Sequence, residues 1–243
     1  MINIPITLFY ILLGILPSTI WLLFYLRKDA HPEPKKQVIE IFFYGMLITI
    51  PAVLIEIYLT KSLNFLHFLP LSLILFSLIE IFIGIAFVEE FSKYLVVKWG
   101  MFRNSELDEP VDIMIYMIIA ALGFAAAENV FLLFSFWEEV LLGQVVIITF
   151  GRFVSATFLH ALASGILGYF LALSFFEAKR GWTLLIKGLV IATTLHGFYN
   201  FSIILIEDPI LKIIIILVLL SVMAFFVSVA FRKLKKLKSI CKL

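Results

Sequence analysis

Residues 71–97 read LSLILFSLIEIFIGIAFVEEFSKYLVV, an apolar run that nevertheless contains Glu80, Glu89, Glu90 and Lys93. About 20 consecutive apolar residues are enough for a helix to cross the hydrocarbon layer of a bilayer. Ionisable groups inside such a helix cost about 3 kcal/mol each on insertion scales, so they need partners or a hydrated cavity. This stretch therefore predicts a membrane-spanning helix that turns a polar face toward other helices.

The composition of the whole chain indicates the same class of protein. Of the 243 residues, 63% are hydrophobic, only 15% are charged and 26 are Phe, and the mean hydropathy is +1.12. An ordinary soluble domain is about half apolar and about a quarter charged. A soluble fold of this length could not bury so much apolar surface. We therefore expect an all-α, polytopic integral membrane bundle rather than two soluble domains.

Further apolar runs along the chain bring the expected number of transmembrane helices to about seven. The expected spans are residues 4–26, 38–59, 71–97, 111–136, 145–176, 184–206 and 210–231. The third and fifth runs are longer than a bilayer needs, so we expect these helices to be tilted, kinked or extended past the lipid. Residues 1–231 then form one transmembrane domain, and residues 232–243 form a basic tail.

Most basic residues of the loops lie on one side of these spans. The basic side carries Arg27, Lys28, Lys35, Lys36, Lys98, Arg103, Lys179, Arg180, Arg232, Lys233, Lys235, Lys236, Lys238 and Lys242. The opposite loops carry Lys61, Glu138, Glu139, Glu207 and Asp208. Because Lys and Arg accumulate in cytoplasmic loops, we expect a multi-pass protein of the cell membrane with its N-terminus outside and its C-terminus in the cytoplasm.

Three of the spans place two polar residues four positions apart. Residues four apart share one face of a helix, and in a membrane such a face must turn toward the interior of the bundle. The three pairs are Glu89 with Lys93, His160 with Ser164, and His196 with Asn200.

The depths of these groups also match. The fourth span adds Glu128 beside Asn129. At a rise of about 1.5 Å per residue, Glu89, Glu128, His160 and His196 each fall within roughly 8 Å of the middle of their span. Four inward polar faces at the same depth are expected to meet in one hydrated pocket inside the membrane.

Such a pocket could hydrolyse an amide without a metal. Two carboxylates in different surroundings can divide the chemical roles, so either Glu89 or Glu90 could activate water as a general base. Lys93 could hold the other carboxylate ionised. The imidazoles of the fifth and sixth spans, together with Asn200, could donate hydrogen bonds to a tetrahedral oxyanion.

Other readings of the same residues stay open. Glu89, His160 and His196 could bind Zn²⁺ with a coordination position left for water. Buried polar faces also hold helices together in non-enzymatic scaffolds, and intramembrane Glu and His form relays in ion-coupled transporters. The sequence has no H-E-x-x-H, no G-x-G-D, and no Gly two residues before Ser164, so other intramembrane protease classes are not supported.

Three more charged residues lie in or near the spans without a matching polar face. We interpret Glu56 and Glu80 as structural. Arg152 lies nearer the outer edge of the fifth span, so we interpret it as a side chain that extends toward the membrane surface.

Several segments resemble the motifs of the PrsW family of intramembrane proteases. Residues 89–93, EEFSK, match the family pattern E-E-x-x-K, and residues 123–129, GFAAAEN, resemble its pattern F-x-x-x-E-N. The pairs that begin at His160 and His196 resemble its third and fourth motifs. Residues 25–34, YLRKDAHPEP, resemble its first cytoplasmic loop. The resemblance extends over residues 25–200, in the order of the family.

The resemblance implies a helical membrane protease related to the CAAX prenyl proteases and bacteriocin-processing enzymes. It implies that Glu89 and Glu90 activate water and that Lys93 orients them. It also implies that Glu128 is a further essential acid. His160 and His196 would stabilise the oxyanion or bind a metal, with help from Asn200.

The family resemblance also carries expectations about partners and cofactor. It implies a membrane-anchored protein substrate, such as an anti-sigma factor, within the lipid bilayer, and no nucleic acid. It leaves Zn²⁺ and a metal-free glutamate mechanism equally open. Prenyl proteases have an Arg one residue beyond the position of Lys93, so this chain departs from the pattern for prenylated substrates.

Overall fold

Long apolar runs become helices in a membrane because a helix satisfies its own backbone hydrogen bonds. The computed structural model describes residues 4–28, 33–65, 73–101, 109–135, 142–176 and 180–237, and these residues contain helices and no strands. The helices are α1 Ile4–Leu26, α2 Lys35–Phe65, α3 Leu73–Ile79, α4 Val88–Met101, α5 Pro110–Ser135, α6 Leu142–Val154, α7 Ala156–Phe176, α8 Gly181–Leu205 and α9 Pro209–Leu234. A π-helical segment, Glu80–Phe87, joins α3 to α4.

Each expected span corresponds to one stretch of consecutive helical elements, which we call a rod. The polytopic membrane fold is confirmed. The first span agrees with α1 at both ends. Six rods are long and apolar enough to cross a bilayer. The remaining rod runs from Leu73 to Met101 and is interrupted by the π-helical segment. The two spans that were expected to be irregular both carry a break, because Ser155 separates α6 from α7 in the fifth.

Helix α5 forms the centre of the bundle. Every residue from Pro110 to Ala127 is buried, and α5 packs against α1, α2 and α7. The approach of α2 to α5 requires two glycines. A Cβ atom on Gly45 would lie 2.2 Å from the Ala120 carbonyl oxygen, and one on Gly123 would lie 2.0 Å from the Phe42 carbonyl oxygen. The backbones of α2 and α5 are therefore nearly in contact, which brings the C-terminal half of α2 close to Glu128.

Contacts between the ends of helices place several basic segments at one end of the bundle. The Lys235 ammonium donates a hydrogen bond to the Lys28 carbonyl oxygen, and the Tyr116 hydroxyl contacts the side chains of Glu33 and Gln37. This arrangement agrees with the expected alternation of basic and non-basic sides, while the orientation across the membrane stays a prediction. The loop residues Asp29, Pro32, Arg103, Glu138, Glu139, Lys179, Lys238 and Lys242 lie outside the described residues.

Candidate active site

Lys93 lies at the centre of a buried polar cluster. Its Nζ atom is 2.8 Å from Glu90 Oε1 and 3.2 Å from Glu89 Oε2, both one helical turn earlier on α4. It is also 2.8 Å from His160 Nδ1 on α7 and 4.5 Å from the centre of the Phe124 ring. Glu89 and Glu90 are in the first turn of α4, directly after the π-helical segment, a feature common at functional sites.

Two carboxylates, those of Glu128 and Glu90, orient the two imidazoles. Glu128 Oε2 lies 2.8 Å from His160 Nε2, and Glu90 Oε1 lies 2.9 Å from His196 Nδ1. An ionised carboxylate only accepts hydrogen bonds, so we assign the imidazole hydrogens to these two nitrogens. The other nitrogens, His160 Nδ1 and His196 Nε2, then present lone pairs, and they lie 3.6 Å and 3.7 Å from Glu89 Oε2.

The two members of the Glu89–Glu90 pair have different surroundings. Glu90 is held at both oxygens, because Oε1 contacts Lys93 and His196 while Oε2 accepts a 2.7 Å hydrogen bond from the Ser164 hydroxyl. Among the described residues, the only hydrogen bond to Glu89 comes from Lys93. Glu90 is therefore fixed by its neighbours, and Glu89 has an oxygen left for another partner.

The structure thus brings Glu89, Glu90, Lys93, Glu128, His160 and His196 together, as the matched depths indicated. Asn200 lies one turn beyond His196 on α8 and is only partly buried. Within the described part of the chain it makes no hydrogen bond to the cluster.

Arg152 points inward, so the interpretation that it extends toward the membrane surface is wrong. Its Nη2 atom lies 3.3 Å from Glu128 Oε2, and its Nε atom contacts Asn129 Oδ1. Asn129 in turn donates a 3.1 Å hydrogen bond to the Thr157 hydroxyl. The available sequence signal was that Glu128 needed a cationic partner, and Arg152 precedes His160 in the same expected span.

The two acids interpreted as structural behave differently. Glu80 Oε1 accepts a 2.7 Å hydrogen bond from the Thr60 hydroxyl, as a structural acid should. Glu56 has a buried Oε1 atom with no hydrogen-bond partner among the described residues. Its carboxylate lies within electrostatic range of Glu128 and Lys93. Glu56 therefore lies near charged groups of the cluster, and its interpretation as a structural acid stays a prediction.

The donor set at the cluster fits a zinc ion. One ligand atom each from Glu89, His160 and His196 lies within 4.8 Å of the others, and all three residues are buried. Two atoms that share a zinc ion at about 2.1 Å each must come within about 4.2 Å of one another. The separations of 3.6 Å and 3.7 Å from Glu89 Oε2 meet this limit, while the two imidazole nitrogens lie within the 4.8 Å of the whole set and would have to approach slightly. Glu128 and Glu90 supply the carboxylate partners that metal-binding imidazoles usually have.

A groove of about 820 Å³ lies between α2 and α4. Ile41, Tyr44, Pro51 and Trp99 are among its lining residues, and none of the lining residues of the described chain belongs to the cluster. The side chains of the cluster are therefore buried and do not open into this groove.

Comparison with known proteins establishes the family. The model of the PrsW family intramembrane metalloproteases matches residues 33–230. Protease PrsW of Bacillus subtilis (strain 168) is 27% identical over 231 residues, which cover 93% of this chain and 94% of that protein. Protease PrsW of Oceanobacillus iheyensis is 30% identical over 192 residues, or 77% of this chain and 80% of that protein. No solved structure matches. The chain belongs to the PrsW family and is a multi-pass membrane protease.

Proposed function

We propose that this protease cuts a membrane-anchored protein with a water molecule activated at Glu89, beside the lone pairs of His160 and His196. The observation that carries the proposal is the convergence of these three groups, 3.6 Å and 3.7 Å apart, with both imidazoles oriented by carboxylates. Family membership favours this peptidase over the scaffold and transporter alternatives.

Glu89 is the proposed general base because its carboxylate accepts fewer hydrogen bonds than that of Glu90. It takes a proton from water as the water oxygen attacks the carbonyl carbon of the scissile bond, and the amine leaves with a proton. The Glu90 carboxylate orients His196 by a hydrogen bond and itself accepts one from the Ser164 hydroxyl. The Glu128 carboxylate orients His160 in the same way. The Asn200 amide has no partner among the described residues, which supports its role as a hydrogen-bond donor to the oxyanion.

In a zinc-dependent form of the reaction, Glu89, His160 and His196 are the proposed ligands of the ion, and Glu89 would then hold the metal instead of acting as a free general base. When bound, Zn²⁺ would supply a water of lowered pKa and a Lewis acid for the scissile carbonyl. The lone pairs on both imidazoles favour this role over donation to an oxyanion, because their hydrogens already serve Glu128 and Glu90.

A metal-free reaction is the second candidate, and the position of Lys93 favours it. The Lys93 ammonium already contacts Glu89 Oε2 and His160 Nδ1, where it can balance the negative charge that develops on the oxyanion. In that case Glu89 acts as base beside a fixed cation that the chain itself provides.

The substrate is proposed to be a single-span regulatory protein of the anti-sigma-factor kind. The cluster lies near the middle of its helical rods, so the scissile bond must come from a segment within or next to the bilayer. Glu89 and its partners are buried among helices, which excludes a large folded domain from the reacting position.

The experiment is cleavage of a single-span substrate in nanodiscs made up in H₂¹⁸O. We expect one cut within or beside the span and one ¹⁸O atom in the new carboxyl terminus, and we expect His196→Ala to lose both. Cleavage confined to a soluble portion of the substrate, or unchanged by His196→Ala, would contradict the proposal.

A further inference from the structure

Glu56 is an acid beside the cluster whose buried Oε1 atom has no hydrogen-bond partner among the described residues. In the described residues, the buried side-chain atoms without a partner are Glu56 Oε1 and the hydroxyls of Ser18 and Thr193. Glu56 is the only one of the three that carries a carboxylate. Glu80, the other acid that was interpreted as structural, has its hydrogen bond from Thr60.

The helical face of α2 explains where Glu56 points. Gly45, Thr49, Ala52 and Glu56 follow one another at spacings of four, three and four residues, which place them on one face. Thr49 Oγ1 lies 3.5 Å from the Phe124 carbonyl oxygen on α5, and Gly45 approaches α5 one turn earlier. Ala52 packs in a buried cluster with Phe124. The next position of the same face therefore turns Glu56 toward the part of α5 that carries Glu128.

Longer-range electrostatic interactions agree with this placement. The Glu56 carboxylate interacts with Glu128 and Lys93, and the Glu89 carboxylate interacts with Glu56. These are groups of the proposed reaction site. Glu56 is thus a neighbour of the reacting groups, although the hydrogen bonds that fix the cluster do not include it.

An unpaired carboxylate oxygen in this position could accept a hydrogen bond from a substrate. A peptide bond inside a helix is not accessible to attack, so the substrate must unwind near the cut. Each backbone N–H that leaves a helix inside the bilayer lacks water as an alternative partner. A buried acceptor on the enzyme would hold such an N–H group.

We propose that Glu56 binds the substrate, with its Oε1 atom accepting a hydrogen bond from a backbone N–H of the unwound segment beside the scissile bond. This inference rests on the proposed function, because it assumes that the cluster is where the substrate is cut. It assigns to Glu56 a role in substrate binding and not in proton transfer.

Two substitutions separate these roles. Glu56→Gln keeps a carbonyl oxygen that can accept the hydrogen bond, while Glu56→Met removes the acceptor at similar length. We expect Glu56→Met to raise KM about tenfold, the effect of losing one buried hydrogen bond, with kcat changed less than about threefold. We expect Glu56→Gln to stay close to the wild type. The melting temperature should not fall in Glu56→Met, because Glu56 Oε1 loses no partner.

Glu80→Met is the matched control. It removes a carboxylate that accepts from Thr60, so its melting temperature should fall while KM stays unchanged. A Glu56→Met protein with unchanged KM, or with a lowered melting temperature as its only change, would overturn the inference. Equal loss of kcat in Glu56→Gln and Glu56→Met would also overturn it and would indicate a role for the carboxylate proton or charge.

Substrate binding to an inactive enzyme makes the test independent of the reaction. A fluorescent single-span substrate in nanodiscs should bind Glu89→Gln about tenfold more tightly than the double variant that also carries Glu56→Met. Equal binding by both proteins would refute the role of Glu56. Failure of the proposed function would instead appear as cleavage by Glu89→Gln itself.

Discussion

The Nζ atom of Lys93 lies 2.8 Å from Nδ1 of His160, the imidazole nitrogen that the donor set would offer to a metal. The same ammonium lies 3.2 Å from Glu89 Oε2, a second atom of that set. An ammonium and a metal ion cannot use the same lone pair at the same time. Lys93 must therefore withdraw toward Glu90 whenever Glu89, His160 and His196 hold a metal.

Lys93→Met tests this competition. Removal of the ammonium leaves Glu89 and Glu90 buried without their cation, which should destabilise the metal-free protein by about 3 to 5 kcal/mol. We expect Zn²⁺ to restore the melting temperature of the variant and to bind it at least about tenfold more tightly than the wild type. Thermal unfolding and zinc titration measure both effects. Lys98→Met, outside the cluster, is the control; equal zinc affinity in Lys93→Met and wild type would refute the competition.

Arg152→Leu tests whether the support of Glu128 matters for the reaction. Loss of the 3.3 Å contact with Glu128 should loosen the carboxylate that orients His160. We expect kcat to fall about tenfold or more, in the range typical of groups that orient metal- or substrate-binding side chains. Cleavage kinetics measure the change.

The exposed Arg180 at the start of α8 provides the control for Arg152. Arg180→Leu should leave kcat within about twofold of the wild type. Equal activities of Arg152→Leu and Arg180→Leu would show that the contact with Glu128 contributes nothing to the reaction.

Much of the site could be predicted from the sequence because helical spacing and depth within a span carry geometric information. Glu89, Lys93, His160 and His196 each have a polar residue four positions away or lie at the middle of a span, and these four do meet. Hydrogen-bond direction is not encoded in this way. That Glu128 and Glu90 orient the two imidazoles could be seen only from the way in which four rods pack together.

Arg152 and Glu56 could not be predicted for different physical reasons. Arg152 lies near the outer end of its span, where an inward and an outward side chain have the same sequence pattern. Glu56 shares its helix face with Gly45, Thr49 and Ala52, none of which is charged, so no polar pattern marked that face. Only the close contact of α2 with α5 shows that the face is interior.

Gly123→Ala tests that close contact. Its new Cβ would lie 2.0 Å from the Phe42 carbonyl oxygen, so the helices must separate. We expect a loss of about 1 to 3 kcal/mol in stability, typical of overpacking, together with reduced activity because Glu128 shifts away from His160. Thermal unfolding in detergent measures the first effect.

Gly151→Ala is the matched control for Gly123→Ala, because a Cβ at Gly151 meets nothing within 4 Å. A helical Gly→Ala change without a clash should be neutral or stabilising. If both variants unfold at the wild-type temperature, α2 and α5 are not packed as closely as described.

The most direct test of the account is the kcat of Glu89→Gln for a single-span substrate in nanodiscs, compared with that of Glu80→Gln. The amide keeps the size of Glu89 but cannot take a proton from water, so we expect kcat to fall about 100-fold or more. Glu80→Gln should cleave within about twofold of the wild type, because Glu80 contacts Thr60 and lies outside the cluster. Cleavage by Glu89→Gln at the wild-type rate would contradict the claim that water is activated at this cluster.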